Sequence, residues 1–464
     1  MAETATTPVT APTAVPAPFA GLITAPSEAL PGSRIDWVRR AREEGARLFV
    51  AQGVPTVKVE QWKYTPLRAL LKVPFRAVDA AAPQPELPAL PAGEALSVDA
   101  HVLVFVNGRH APDQSDLDTL PPGLRVDSLA RLLETEPHTV EPWFGRLADA
   151  GTLPFAALNQ CGLLDGFVVR VREGAMIERP IHIVQISAPL DGEPTAHQPR
   201  NLVVLESGAA ATVLESWIGS SDAPAGPATL RNAVTEVHVA ARANLRHYIL
   251  QNLPRSAHSI AATAAKVEDG AVYDSFVLQM GAALSRHDLR AELAGRHAEV
   301  HLNGAYAAYG DQVLDTTSLL DHAAPDCTSN EVYKGVLASG AKGVFQGKIL
   351  VRQIAQKTDG NQLHKALLLD RGAEVDCKPE LEIYADDVKC SHGATAGELD
   401  ATALFYLRSR GIDPETARSL LIEGFLDDVV ERIAAEPLRQ AFADKIHLWQ
   451  QRRAAALAAA APAA

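Results

Sequence analysis

No apolar run of the roughly 18 residues that a membrane-crossing helix requires occurs in this chain. The first 30 residues also lack the basic start and apolar stretch of a secretory signal. Both absences predict a cytoplasmic protein. Basic charge is in deficit as well: 43 Lys and Arg stand against 56 Asp and Glu, a net charge of -13. That balance opposes binding to phosphate backbones and anionic lipid, so neither nucleic acid nor membrane is an expected partner. Cysteine is sparse, with Cys161, Cys327, Cys377 and Cys390 scattered through 464 residues. The spacing excludes a disulfide framework and leaves thiolate chemistry in a reducing compartment.

Common catalytic signatures are missing too. The chain has no G-x-x-x-x-G-K-[ST], no G-x-S-x-G, no H-E-x-x-H and no paired C-x-x-C. The nearest approach to a phosphate-binding loop is Gly343-Val344-Phe345-Gln346-Gly347-Lys348, one residue short and followed by Ile349 where Mg²⁺ needs a hydroxyl. It reads better as the turn of a β-rung. No pair of carboxylates stands out as acid and base, which leaves a β-helical carbohydrate-active enzyme without its chemistry.

The pattern that is present changes period twice. Residues 1-32 are rich in Ala, Pro and Thr and are expected to be a disordered tail. Residues 33-160 predict a mixed, largely helical unit. Its first helix is signalled by Ser33 and Asp36, by an apolar stripe through Ile35, Val38, Leu48 and Phe49, and by a stop at Gly53 and Pro55; a second spans Asp127 to Glu134. From Gly166 short β-rich runs take over, such as Phe167-Val168-Val169-Arg170-Val171 and Ile181-His182-Ile183-Val184, with Gly-Ala pairs at Gly174, Gly208, Gly270, Gly340 and Gly372 between them. They predict strands of roughly 4 to 6 residues.

Such strands bury their apolar faces as a sandwich, a propeller or a parallel β-helix. The uneven Gly-Ala spacing fits unequal rungs better than equal blades, so residues 161-396 are expected to form a β-helix. Residues 397-464 return to helical period, with segments through Leu399 to Gly411, Pro414 to about Gly424, Leu426 to Ile433, and Leu438 to about Leu457.

Three places could hold a metal. In a strand, His297, Glu299 and His301 share one face, but the row's ends lie about 13 Å apart, too far for one ion. A solvated face is the simpler reading. Cys390-Ser391-His392 places a thiol and an imidazole on one side of an extended segment, both donors suited to iron or zinc. Two donors are half a site, which a second chain could complete; a buried Cys with a hydrogen-bonded His at a corner fits the same spacing. Cys377 reads as an inert strand residue.

The stretch from Asp376-Cys377-Lys378-Pro379 through Lys389-Cys390-Ser391-His392-Gly393-Ala394-Thr395 closely resembles the signature of SufD proteins, in the SufB/SufD family of iron-sulfur cluster assembly scaffolds. Ala403-Leu404-Phe405-Tyr406-Leu407-Arg408-Ser409-Arg410-Gly411-Ile412, Lys357-Thr358-Asp359-Gly360, Ala157-Leu158-Asn159 with Asp165-Gly166, and Trp62-Lys63-Tyr64-Thr65 extend the likeness to all but the two ends. Cys377 departs from it, standing where the family has Thr.

The resemblance implies a mostly β protein. Its core would be a right-handed parallel β-helix, flanked by an N-terminal helical region and a C-terminal helical bundle. It also implies a non-catalytic subunit that pairs with SufB through the β-helix and docks the SufC ATPase through its C-terminal helices. His392, with Cys390 beside it, would be the metal-site residue at the SufB interface, where a transient iron-sulfur cluster assembles. A purely structural SufB partner without a ligand role is the alternative.

Overall fold

The computed structural model describes residues 17–23, 30–79, 93–190, 192–220 and 226–460. Strand accounts for 41% of the described residues and helix for 23%, and the core is a β-solenoid of about seven turns with helices at both termini. The expected β-helix is therefore present. From Arg200–Leu205 onward, successive strands alternate between two sheets, and each pairs in parallel with the strand two places on. One sheet ends in Leu284–Leu293, Val313–His322, Lys342–Val351 and Glu374–Ile383; the other in Glu299–Tyr309, Thr328–Ala338, Thr358–Leu368 and Val388–Gly397.

In-register pairing stacks like side chains into columns. Val203, Val237, Ala265, Ala291, Leu320 and Ile349 follow one another from rung to rung inside the solenoid, each buried in a single apolar core. A column of aliphatic residues at 4.7–4.9 Å spacing, the ordinary distance between paired strands, removes every inner face from water without any strand closing on itself. Gly208 and Gly340 turn the chain between strands at φ 69° and 87°, a left-handed conformation that a side chain would strain.

The strands are longer than expected. Thr328–Ala338 has 11 residues and His258–Val267 has 10. Alternation conceals this length, because packed helices bury the outer faces too: all residues of Thr229–Val239 but one are buried. Buried polar residues such as Ser259 and Thr263 continue the ladder.

Ahead of the solenoid, α1 (Ala17–Ala20) lies within the stretch expected to be a tail. Phe19 and Leu22 are buried against Phe49, Trp62 and Phe155, so this short apolar segment packs on the body despite its surroundings. Residues 1–16 and 24–29 of that stretch lie outside the described residues. α2 (Asp36–Gln52) follows, with Ile35 at its N-cap and no side chain capping it. α3 (Leu129–Thr135) starts two residues later than expected, because Asp127 and Ser128 end a strand and the Ser128 hydroxyl accepts from Arg131 N. α4 (Pro154–Cys161) packs against α2. The region is more mixed than largely helical: His101–Val106 joins the solenoid, and Leu124–Ser128 pairs antiparallel to Phe167–Val171, finishing that end of the stack.

At the other end come α5 (Ala401–Ser409), α6 (Pro414–Val430) and α7 (Glu436–Ala460). The two middle segments expected from sequence are one helix. Gly424 does not break it, since a glycine inside a helix costs only about 1 kcal/mol and Ile422, Leu426 and Val429 bury one continuous stripe. That stripe and Phe442, Ile446 and Trp449 of α7 cover the outer face of one sheet, with Phe276 and Phe442 edge to face at 5.1 Å.

Candidate functional site

Glu374–Ile383 and Val388–Gly397 form the last rung. Each is the final strand of its sheet and is paired on one side only. The solenoid interior therefore opens at this rung, between two strand edges whose unpaired N-H and C=O groups face outward.

Cys390 and His392 occupy alternate positions on the last strand, and alternation turns both to the inner face. Val388 and Cys390 pack against the interior apolar core from the rim. Burial pushes the half-buried Cys390 thiol above its ordinary pKa, so at rest it is a thiol. His392 is exposed. Its lateral neighbour is Gln362, and Gln362's is Glu331, so a polar column climbs from the interior and ends at the imidazole. Gln362 donates Nε2 to Glu331 at 2.7 Å, and burial pushes the Glu331 carboxyl up to about 7. A metal-binding histidine is expected to have one ring nitrogen fixed by a carbonyl or carboxylate; among the described residues none holds His392.

Cys377 is hydrogen-bonded on its strand. Its Sγ lies 3.0 Å from Nδ1 of His364, and Nε2 of His364 lies 2.8 Å from the Tyr306 hydroxyl. Burial sets all three protonation states. It raises the Tyr306 hydroxyl well above its ordinary value, raises the Cys377 thiol to about 11 and lowers His364 to about 4. The chain from phenol to thiol is therefore neutral throughout. Sequence could not show it, because Tyr306, His364 and Cys377 stand on three different strands.

The other candidates resolve as structure. His297 has φ 57° and lies in a turn before Glu299–Tyr309, so the expected row of three never forms; Glu299 and His301 remain on the strand, 3.9 Å apart. Gly343 to Lys348 runs through a strand instead of a loop, with Lys348 paired to Glu382. Among the described residues no group of three or more His, Cys, Asp and Glu is placed to hold a metal ion.

The remaining signature residues hold the body together. Asn159 donates Nδ2 to the carbonyls of Pro199 and Asn232, locking α4 to two rungs. Asp165 accepts from Ser128 Oγ at 2.8 Å, Ala130 N at 2.9 Å and His110 N at 3.0 Å; burial nevertheless pushes its carboxyl up to about 6. Trp62 to Thr65 crosses the outside of one sheet, where Thr65 donates to buried Asp315. α5, by contrast, buries no residue, and Phe405 and Tyr406 are 72% and 56% exposed.

Comparison with known proteins covers nearly the whole chain. The family model for the SufBD core domain of the SUF system of iron-sulfur cluster assembly matches residues 188–425, and the model for the SufBD N-terminal region matches residues 17–183. The chain is 34% identical over 390 residues to the iron-sulfur cluster assembly protein SufD of Escherichia coli, covering 84% of this chain and 87% of that one. It is 32% identical over 404 residues to a SufBD family protein of Synechocystis, covering 86% and 88%. A chloroplastic protein of Arabidopsis thaliana is 32% identical over 327 residues, covering 69% and 67%.

Proposed function

Because the chain belongs to the SufBD family of iron-sulfur cluster assembly proteins, we propose that it is the SufD-like half of a cytoplasmic SufB–SufC–SufD scaffold and has no catalytic activity of its own. The observation that carries this reading is the open last rung. Its two unpaired parallel edges suit a partner built on the same fold, and His392 and Cys390 lie on one of them, which supports a role for both at the seam. SufB is the partner at that seam, and its donors complete the half-site. The cluster is cargo: iron(II) and sulfide enter, are held by imidazole and thiolate together, and leave as product. One imidazole among thiolates binds iron less permanently than a full thiolate set, which suits release.

SufC docks on α5 and the turn into α6. The exposed Phe405 and Tyr406 support this, as does the α6 N-terminus, where Asp413 accepts from Glu415 N and Thr416 N and fixes a rigid corner. ATP hydrolysis in SufC then shifts helices that pack directly on the sheet ending in His392, biasing the seam between closed and open.

The test is co-purification with SufB and SufC followed by iron and sulfide analysis. The unmodified complex should assemble and load. His392→Ala should assemble with normal stoichiometry and lose most iron and sulfide, whereas His301→Ala should load normally. Equal loading of His392→Ala and unmodified complex would leave the chain a structural partner only. Failure to capture SufB at all would sink the assignment.

A further inference from the structure

Away from the open rung, the last turns of α7 border a cavity of about 560 Å³. Its floor is built from the turns that follow four neighbouring strands of one sheet, Asn244–Asn252, Val272–Gln279, Glu299–Tyr309 and Thr328–Ala338. On the helix side Ala455 and Ala456 leave the space that larger side chains would fill. A cavity of this size holds a small organic molecule and is too large for a water or a lone ion.

The lining is of two kinds. Trp449 and Tyr309 supply aromatic surface, with ring centres 6.3 Å apart, and Met280 extends it. Beside that surface stand three cations. Arg255 pairs with Asp311 at 2.7 Å and Arg452 pairs with Glu94, but Arg453 makes no ion pair among the described residues. Arg453 is nonetheless only 9% exposed, and its Nε has no hydrogen-bond partner. Nε1 of Trp449, a residue 2% exposed, has none either.

Both unpartnered groups are donors, and no buried acceptor in this lining lacks a partner. A buried donor left unpaired costs about 1–3 kcal/mol. Burial also disfavours the charge on Arg453. An occupant that brings an anionic acceptor relieves both costs. Its charge is limited, because two of the three arginines already have carboxylates and one cation is left to balance. A single carboxylate balances it; a phosphate monoester, at about -1.5 to -2, exceeds it.

We propose that this cavity binds a small aromatic monoanion, a planar ring bearing one carboxylate, with the ring against Trp449 and Tyr309 and the carboxylate on Arg453. The site is independent of the open rung and of any partner there. Binding is non-covalent, and no proton or electron is transferred.

The probe is 2-naphthoate, titrated calorimetrically into the full chain, with neutral 2-naphthamide as its uncharged counterpart. Naphthoate should bind about 10-fold more tightly than the amide, the worth of one hydrogen bond to a charged group. Arg453→Gln should lower naphthoate affinity by about 10-fold and leave amide affinity within about 2-fold, so that the preference for charge vanishes with the cation. A purely structural loss would weaken both ligands alike. Ala456→Trp changes an exposed position on the rim and disturbs no buried residue. It should fill the cavity and abolish binding of both ligands without lowering the melting temperature. Four results would each overturn the proposal: no binding of naphthoate to the unmodified chain, a preference for charge that survives Arg453→Gln, binding that survives Ala456→Trp, or tighter binding of 2-naphthyl phosphate than of naphthoate.

Discussion

Arg286 lays its guanidinium 4.0 Å from the centre of the Trp62 ring while reaching Asp315 at 2.6 Å and Asp288 at 2.9 Å. A charge buried in the outer layer of the solenoid is thus roofed by an aromatic residue from the N-terminal region. Trp62→Ala removes the roof and leaves the cation and its two carboxylates open to water. We expect a loss of about 3–5 kcal/mol, read as a shift in the urea midpoint at unchanged slope.

Two glycines should respond oppositely to alanine. At Gly166 an added Cβ would sit 1.9 Å from the carbonyl oxygen of Arg200, backbone that cannot move without shifting a rung. Gly166→Ala should destabilise by about 1–3 kcal/mol or more. At Gly424, inside α6, nothing lies within 4 Å. Gly424→Ala should stabilise by about 1 kcal/mol. Thermal unfolding of the two variants side by side checks both signs.

Glu331 gives stability a pH dependence of known sign. Unfolded, it titrates near its ordinary 4.5; folded, burial holds it protonated up to about 7. Its contribution is fully present below the unfolded value and declines as pH rises through the folded one. Glu331→Gln keeps the shape and removes the titration. Relative to the parent, the variant should gain stability between pH 5 and pH 8 by up to about 3 kcal/mol. Urea unfolding at both pH values measures it, and an equal difference at the two would show that Glu331 does not titrate in this window.

Phe405→Asp tests the contact surface. The ring is 72% exposed and α5 buries nothing, so stability should change by no more than about 0.5 kcal/mol. Affinity for the ATPase subunit should fall by about 2 kcal/mol or more, as when an aromatic anchor is removed. Calorimetric titration against SufC, with a melting curve as control, separates the two effects.

Much of the architecture was legible in residue order, and the failures have physical causes. The change of period at Gly166 marks where side chains begin to alternate across a sheet, and Asp413-Pro414 marks a capped helix, because both signals are local. Strand length was not legible: helices bury the outer faces of Thr229–Val239, and the alternation that measures a strand disappears. Phe19 was hidden by Ala-rich and Pro-rich neighbours, and one aromatic residue does not alter a composition. His392 and Cys390 stood out through resemblance, since two donors on one strand do not define a site. The contact between Cys377 and His364 had no signal, as it joins facing sheets on adjacent rungs.

Parallel rungs that touch only their neighbours behave as a one-dimensional stack, in which each layer is held by the one before and the one after. The last layer has only the one before. Its amides should exchange with solvent first and its strands open at lower free energy than any interior rung. A surface that supplied the missing neighbour would raise that free energy, so order in the last layer and occupation of its edge would become one equilibrium.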